Sequence, residues 1–116
     1  MTDYWYLATP YSKYPAGIEK AFQHASEAAA HVIRQDGRRV YCPIAHTHPI
    51  AVYGHMDPYD HEIWLPQDRP FMDNAAGLIV VKMPGWEESF GIGVEIEEFR
   101  KAGKPIEYME WPVEGN

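Results

Sequence analysis

The chain has 116 residues, 46% of them apolar, a single cysteine and a formal net charge of −7. A chain of this length forms one domain without disulfides or a structural metal, and a lone cysteine excludes an intramolecular disulfide and fits a reducing cytoplasm. The acidic balance argues against a groove that tracks nucleic-acid phosphates, and no apolar run reaches the roughly 20 residues that span a bilayer.

We therefore expect one cytoplasmic domain over residues 1–116 whose partner is a small molecule or a second copy of the chain. The opening residues, MTDYWYLATP, hold an acid and no basic cluster ahead of an apolar core. This pattern predicts no secretory signal.

The first half of the chain predicts a strand, a helix and a second strand. YWYLA (4–8) is short, aromatic and apolar, and the turn-rich TPYSKYP follows it. Apolar residues then recur at helical spacing over 16–35, with Pro15 and Gly37 as start and stop signals. RRVYCPI (38–44) predicts the second strand.

The segment 45–74 has the least regular pattern, with four histidines and several prolines. We expect no regular structure over 45–57, a short helix near 59–65 and another near 67–75. An irregular stretch of this length in a small domain is often a functional loop.

The last third predicts a strand, a helix and a strand, over 77–83, 91–102 and 105–110. GLIVVKM has four consecutive large apolar residues, which predicts burial on both faces. The alternation indicates a single α/β domain, with a mostly parallel sheet of four to five strands and helices on both faces. Ligands of such sheets bind at the carboxyl ends of the strands, so the loops TPYS, AHTHP and PGWEES are expected to form any site.

The three glutamates of the last predicted helix fall on different faces. At about 100° per residue, Glu95 lies on the apolar stripe beside Phe99. Glu97 and Glu98 lie on a solvated face, where Lys101 is their expected partner. In the first helical turn, a carboxylate on the buried side either binds free amide groups or acts as a nucleophile or general base, kept ionised by the helix dipole.

Asp68 and Asp73 are candidates for a second carboxyl group. Each has the alternative role of a helix cap or a surface charge. Paired with Glu95, either would complete the two acids that glycosyl transfer requires, one attacking the sugar carbon and one protonating the leaving group.

The histidines at 46, 48, 55 and 61 raise the alternative of a metal-dependent hydrolase. The chain has no HExxH helical pair and no cysteine set, so we favour histidines that contact a ligand or a neighbouring subunit, and we expect no metal or other cofactor. Two loop aromatics, Tyr11 and Trp86, either stack on a planar ligand or pack in the core.

Several short motifs resemble the nucleoside 2-deoxyribosyltransferase superfamily. They are YLATPY at 6–11, GLIVV at 77–81, Ser89-x-Gly91-x-x-x-Glu95 and the GKP that begins at Gly103. The stretch MDNAAGLIVVKMPGWEESFGIGVEIEEF is more closely similar to a small bacterial branch of that superfamily. The resemblance covers nearly the whole chain.

The resemblance implies a flavodoxin-like fold and cleavage or transfer at the N-glycosidic bond of a nucleoside or a nucleoside 5′-monophosphate. It also implies a homo-oligomer, a dimer or tetramer, whose sites can borrow residues from a neighbour. Glu95 matches the nucleophile, and Asp68, or Asp73 as second choice, matches the acid that engages the leaving base. The expected substrate-binding residues are Tyr6, Ala8, Pro10, Tyr11, His46, Trp86, Ser89 and Gly91.

Two positions depart from the superfamily pattern. Ser89 stands where the transferases usually carry an aspartate, and Ile92 stands where they carry a small hydroxyl residue. Both positions help to hold the sugar in the superfamily. Hydrolysis, base exchange and a non-catalytic nucleotide or nucleoside sensor therefore all remain open.

Overall fold

Four parallel strands form the centre of the fold, which is a computed structural model that describes residues 3–112. In chain order they are β1 (Trp5–Ala8), β2 (Val40–Tyr41), β3 (Gly77–Val81) and β4 (Ile106–Met109). They lie in the order β2-β1-β3-β4, and each neighbouring pair is parallel. This order is that of a flavodoxin-like α/β sheet, so the predicted fold class is confirmed.

Helices cover both faces of this sheet. They are α1 (Ile18–His31), which continues as a π-helical turn over Val32–Asp36, α2 (Pro43–Tyr53), α3 (His61–Asn74) and α4 (Phe90–Lys101). A short 3-10 turn over Trp86–Glu88 precedes α4. No helix within residues 3–112 is long and apolar enough to cross a membrane.

Alternate residues of β1 and β3 point into two separate cores. Leu7 and Ile79 face the alanine-rich side of α1, whereas Tyr6 and Leu78 face α3 and α4. Every residue of β3 is buried, as its run of apolar residues predicts. Each large apolar side chain buried in this way contributes roughly 1.5–3 kcal/mol to stability, so both faces must stay covered.

The region between β2 and β3 differs from the prediction. The second strand is two residues long because Pro43 begins α2 one residue after Cys42, and proline is favoured at a helix start. The expected loop over 45–57 is therefore mostly helix.

The two short helices expected over 59–75 are one continuous helix, α3. Pro66 and Pro70 lie inside it on its exposed side. The carbonyl groups that these prolines leave without a helical donor can be hydrated there, so the helix continues through both.

The charged face of α4 has other partners than expected. Glu97 pairs with Arg100 at 3.2 Å, and Glu98 pairs with Arg69 of α3 at 2.7 Å. The expected pairing with Lys101 is wrong, because guanidinium groups within and beside the helix reach these carboxylates. Arg69 thereby ties α3 to α4.

Candidate functional site

A cavity of about 80 Å³ opens at the carboxyl ends of β1, β2 and β3. Its wall comes from the loops after β1 and β3, from α2, which follows β2 directly, and from α3 and α4. The lining includes Thr9, Tyr11, Tyr59, His61, Trp64, Asp68, Ser89, Gly91 and Glu95.

Two buried carboxyl groups face this cavity. Asp68 comes from α3 and is 9% exposed, while Glu95 comes from α4 and is 8% exposed. Burial raises the pKa of Asp68 to about 7. Burial also raises the pKa of Glu95 to about 8, and the negative charge of Asp68 adds to that effect. Near neutral pH the pair therefore retains a proton, so that an acid and a carboxylate share one site.

The helix dipole does not determine the ionisation of Glu95. Helix α4 begins at Phe90, one residue earlier than predicted, and Glu95 lies in its second turn rather than its first. Ser89 caps this helix, since its hydroxyl oxygen accepts a hydrogen bond from the Ile92 amide at 3.2 Å. Burial therefore changes the pKa of Glu95 more than the helix dipole does. The expectation that the dipole keeps Glu95 ionised is wrong.

A phenol accompanies each acid. The Tyr6 hydroxyl faces Glu95 and lowers the pKa of its carboxyl, and the Tyr41 hydroxyl does the same for Asp68. In each case this opposes the larger effect of burial. Burial, with the nearby acids, raises the pKa of both tyrosines, so both phenols keep their protons. Neither phenol has the geometry of a hydrogen bond to its acid, so each acts on the carboxyl group beside it at longer range and remains able to donate to a ligand.

Unpartnered polar atoms concentrate at this site. Within residues 3–112, the buried side-chain polar atoms that lack a hydrogen-bond partner are Tyr6 Oη, Thr9 Oγ1, His31 Nδ1, Tyr41 Oη and Asp68 Oδ1. All except His31 Nδ1 belong to residues that line the cavity or adjoin its two acids. Buried polar groups in folded proteins are normally satisfied, so this concentration indicates a place for a ligand with several polar groups.

Aromatic side chains form the outer wall of the cavity. The ring centroids of Tyr11 and Tyr59 are 6.4 Å apart, and the Trp64 indole donates to the Asp57 carbonyl at 2.8 Å. His61, at the start of α3, lies against Phe90 at 4.3 Å. The aromatic rings give the mouth of the cavity flat apolar surfaces beside the buried acids.

The structure brings Asp68, Tyr11, Ser89, Gly91 and Glu95 together around the cavity. Gly91 leaves room there, since a Cβ at this position would meet only Ser89 Oγ, at 4.0 Å.

The other candidate residues do not line the cavity, although Tyr6 lies next to Glu95. Asp73 is exposed near the end of α3, His46 is exposed on α2, and Trp86 packs against β4. Ala8 and Pro10 are buried in the core, and neither lines the cavity. Of the two candidate second acids, the structure therefore places only Asp68 beside Glu95.

Sequence reasoning missed Tyr59 and Trp64 as residues of the cavity wall, and it gave His61 only as one of four histidines that contact a ligand or a neighbouring subunit. His61, Trp64 and Asp68 recur at intervals of three and four residues, which is the spacing of one helical face. The sequence contains this spacing. The prediction of two short helices instead of α3 placed Asp68 on a different helix from His61 and Trp64.

A family model described as a domain of unknown function (DUF1937) matches residues 3–111. The chain belongs to this family. The matched residues of DUF1937 include all four strands and both buried acids. No curated protein matches the chain.

The DUF1937 domain does not gather its histidines into a metal-binding group. Within residues 3–112, no three His, Cys, Asp or Glu side chains are arranged to hold a metal ion. His48 is instead bonded to Tyr11 and Glu19, and His61 lies against Phe90. The donor geometry gives no support to the metal-hydrolase alternative.

Three basic side chains of the domain form ion pairs away from the cavity. Arg38 pairs with Asp36 and Glu107, and Lys82 pairs with Glu110 at 2.6 Å. Arg69 is held by Glu98, as described above. None of these bases lines the cavity of the DUF1937 domain.

Proposed function

We propose that this DUF1937 domain cleaves, or transfers at, the N-glycosidic bond of a nucleoside. One observation carries the proposal: Glu95 and Asp68, buried on different helices, face one cavity and hold a proton between them near neutral pH. Glycosyl transfer with a covalent intermediate needs this distribution, a carboxylate as nucleophile and a carboxylic acid for the leaving group. The resemblance to the nucleoside 2-deoxyribosyltransferases assigns Glu95 to the first role.

The reaction requires the form of the pair with its proton on Asp68, although the pKa of Glu95 is the higher of the two. In the first step, the Glu95 carboxylate of that form attacks the anomeric carbon and forms a C–O bond. The N-glycosidic bond breaks, its electron pair stays on the base, and Asp68 supplies the proton that the departing base takes up. In the second step, water or another base attacks the same carbon, the bond to Glu95 breaks, and Asp68 recovers a proton from the acceptor.

The Tyr6 phenol supports the role of Glu95. The Tyr6 hydroxyl stabilises the ionised form of Glu95, which the attack on the sugar requires. Tyr41 is unpartnered beside Asp68, and Thr9 Oγ1 is unpartnered at the cavity wall. These donors match the hydroxyl groups of a sugar placed between the acids.

The aromatic wall is suited to the base of a nucleoside. Tyr11, Tyr59 and Trp64 offer ring faces at the mouth, and planar ligands bind by stacking on such faces. The cavity of about 80 Å³ is smaller than the roughly 300 Å³ at which small-molecule pockets begin. Binding therefore requires an outward movement, and Tyr59, half-exposed on the connection between α2 and α3, is the wall residue best placed to move.

The charge of the site favours a nucleoside over a nucleoside 5′-monophosphate. The residues that line the cavity include two acids and no lysine or arginine. A phosphate placed there would meet the Glu95–Asp68 pair without a compensating guanidinium or ammonium group.

The test is release of free base from a panel of nucleosides and their 5′-monophosphates, followed by chromatography. We expect wild-type protein to release base, mainly from nucleosides, and Glu95→Ala to lose the activity. Glu97→Ala, on the exposed face of the same helix, is the matched control and should keep it. Full activity in Glu95→Ala would overturn the proposed mechanism.

A second candidate function is a non-catalytic sensor of nucleosides or nucleotides. The observation that favours a sensor is the environment of Ser89 and Ile92, the two residues that depart from the superfamily pattern. The Ser89 hydroxyl oxygen accepts from the Ile92 amide as the cap of α4, and Ile92 is buried at 1% exposure, so the site lacks both the carboxylate and the hydroxyl that the superfamily carries at these positions. A sensor would show ligand-induced thermal stabilisation of the wild type with no base release over hours.

The proposal includes a homo-oligomer. Large apolar side chains near the mouth are exposed, among them Tyr59 at 49% and Phe90 at 55%. A second copy that covers them would complete the wall of the cavity. Light scattering coupled to size-exclusion chromatography should give at least twice the chain mass, and a monomer at all concentrations would exclude this arrangement.

A further inference from the structure

A buried histidine links the cavity wall to a charged residue on the outer surface. The Tyr11 hydroxyl lies 2.6 Å from His48 Nδ1, and His48 Nε2 lies 3.1 Å from a carboxylate oxygen of Glu19. His48 is 3% exposed, whereas the Glu19 side chain is 80% exposed. The three side chains come from the loop after β1, from α2 and from α1, so they connect three separate segments.

We propose that His48 and Glu19 position Tyr11 as the fixed wall on which the base of the substrate stacks. This inference rests on the proposed function, and it assigns a role to two residues outside the cavity. Tyr11 contacts the ligand, while His48 and Glu19 act only through Tyr11.

The carboxylate determines how the chain of hydrogen bonds is directed. Glu19 accepts from His48 Nε2–H, which leaves His48 Nδ1 as an acceptor for the Tyr11 hydroxyl. Burial, with Tyr59 and Glu19 nearby, raises the pKa of Tyr11 to about 12, so its hydroxyl keeps the proton that it donates. The hydroxyl hydrogen of Tyr11 is thereby committed to His48, and its ring remains available to the ligand.

Two aromatic rings pack against the imidazole. The Phe22 ring stacks on His48 with centroids 4.6 Å apart and planes 25° from parallel. The Tyr11 ring meets His48 edge-on, at 5.6 Å and 79°. The two hydrogen bonds and these two rings hold His48 in one orientation, and His48 in turn holds Tyr11, which lies on an irregular loop.

The same chain contains a similar pair away from the cavity. The Tyr14 hydroxyl lies 2.7 Å from His24 Nδ1, and their rings meet edge-on at 80°. Tyr14 is 7% exposed, belongs to the core on the α1 side and does not line the cavity. Tyr14→Phe therefore reports what loss of a buried Tyr–His hydrogen bond does to the fold alone.

The first test is steady-state kinetics of base release with Tyr11→Phe, Glu19→Ala and the control Tyr14→Phe. Loss of one hydrogen bond that orients Tyr11 should raise KM about five- to tenfold and leave kcat within about twofold. Tyr14→Phe should lower Tm without changing KM. Wild-type KM in both Tyr11→Phe and Glu19→Ala would overturn the inference while the proposed function stands; no base release by wild-type protein would overturn the proposed function itself.

The second test needs no substrate. Nitrogen-15 NMR of the histidine rings at pH 8 should show His48 as the neutral form with its proton on Nε2, assigned by comparison with His48→Asn. Glu19→Gln should shift the His48 ring signals and leave those of His24 unchanged. A proton on Nδ1 in the wild type would contradict the positioning of Tyr11 whatever the substrate is.

Discussion

Burial raises the pKa of Glu95 of α4, and Asp68 of α3 raises it further, because both carboxyl groups are buried at the same cavity. Two like charges brought together without water destabilise the fold unless one of them is neutral. One carboxyl group of the pair therefore keeps its proton near neutral pH, and the burial of the pair lowers the stability of the fold. Functional sites commonly have this property.

Glu95→Gln should stabilise the protein at alkaline pH. The ordinary pKa of Glu95, 4.5, rises to about 8 in the fold, so the folded state binds more protons and stability falls as pH rises between these values. One pKa unit corresponds to about 1.4 kcal/mol, so the ionised carboxylate costs on the order of a few kcal/mol. At pH 9 we expect Tm of Glu95→Gln to exceed that of the wild type by roughly 5 °C or more.

The measurement is thermal unfolding followed by circular dichroism at pH 5 and pH 9. The gain should be small at pH 5, where Glu95 is protonated in the fold. Glu97→Gln, whose side chain is exposed, should change Tm little at either pH. A gain for Glu95→Gln that is equal at both pH values would contradict an ionisation cost.

Tyr6→Phe should shift the pH dependence of base release to higher pH. The Tyr6 hydroxyl lowers the pKa of Glu95, so its removal leaves a smaller fraction of the nucleophile ionised at low pH. If the pKa of Glu95 rises by one unit, the rate of base release falls about tenfold at pH 6.5 and much less at pH 9. The Tyr6 ring still packs against Phe99, so the fold is retained.

The pH–rate profiles of the wild type, Tyr6→Phe and Tyr4→Phe provide the measurement. Tyr4 donates to the Phe71 carbonyl at 2.8 Å, and its loss should affect stability but not the profile. An equal reduction of activity by Tyr6→Phe at every pH would assign Tyr6 another role.

Gly91→Leu should block ligand binding without unfolding the protein. A Cβ at Gly91 meets only Ser89 Oγ, so the larger side chain enters the cavity rather than the core. Gly93, two residues later on α4, has nothing within 4 Å of a Cβ and lies on the exposed side. Leucine also favours helix over glycine by up to about 1 kcal/mol, so neither variant should lose stability.

Calorimetric titration of nucleosides into Gly91→Leu and Gly93→Leu tests this expectation. We expect binding to be lost in the first variant and kept in the second. Wild-type affinity in Gly91→Leu would place the ligand elsewhere.

Ser89→Ala should lower stability by about 1 kcal/mol through loss of the cap of α4, which corresponds to roughly 4–8 °C in Tm. Ser89→Asp should keep Tm near that of the wild type, because aspartate caps helices as well as serine. Thermal unfolding of both variants gives the answer, and an unchanged Tm in Ser89→Ala would mean that the cap contributes nothing.

Local patterns in the sequence determined which residues are buried. The run GLIVV predicted a strand covered on both faces, and the helical period separated Glu95 from Glu97 and Glu98. These predictions succeeded because burial of one helix face or strand depends on side chains a few residues apart. Between β2 and β3 the prediction was wrong, since it gave neither α2 nor a continuous α3. Both helices contain prolines.

Only the tertiary structure decided which acid accompanies Glu95 and how both are ionised. The sequence by itself determined the parallel sheet, the helices α1 and α4, and the buried position of Glu95. It left Asp68 and Asp73 as alternatives, and it predicted that the helix dipole would keep Glu95 charged. The interactions of Asp68 with Glu95, of Tyr6 with Glu95 and of His48 with Tyr11 join segments far apart in the chain. A pKa depends on the charges and the solvent around a group in space, and residue spacing along the chain does not give the charges that distant segments bring.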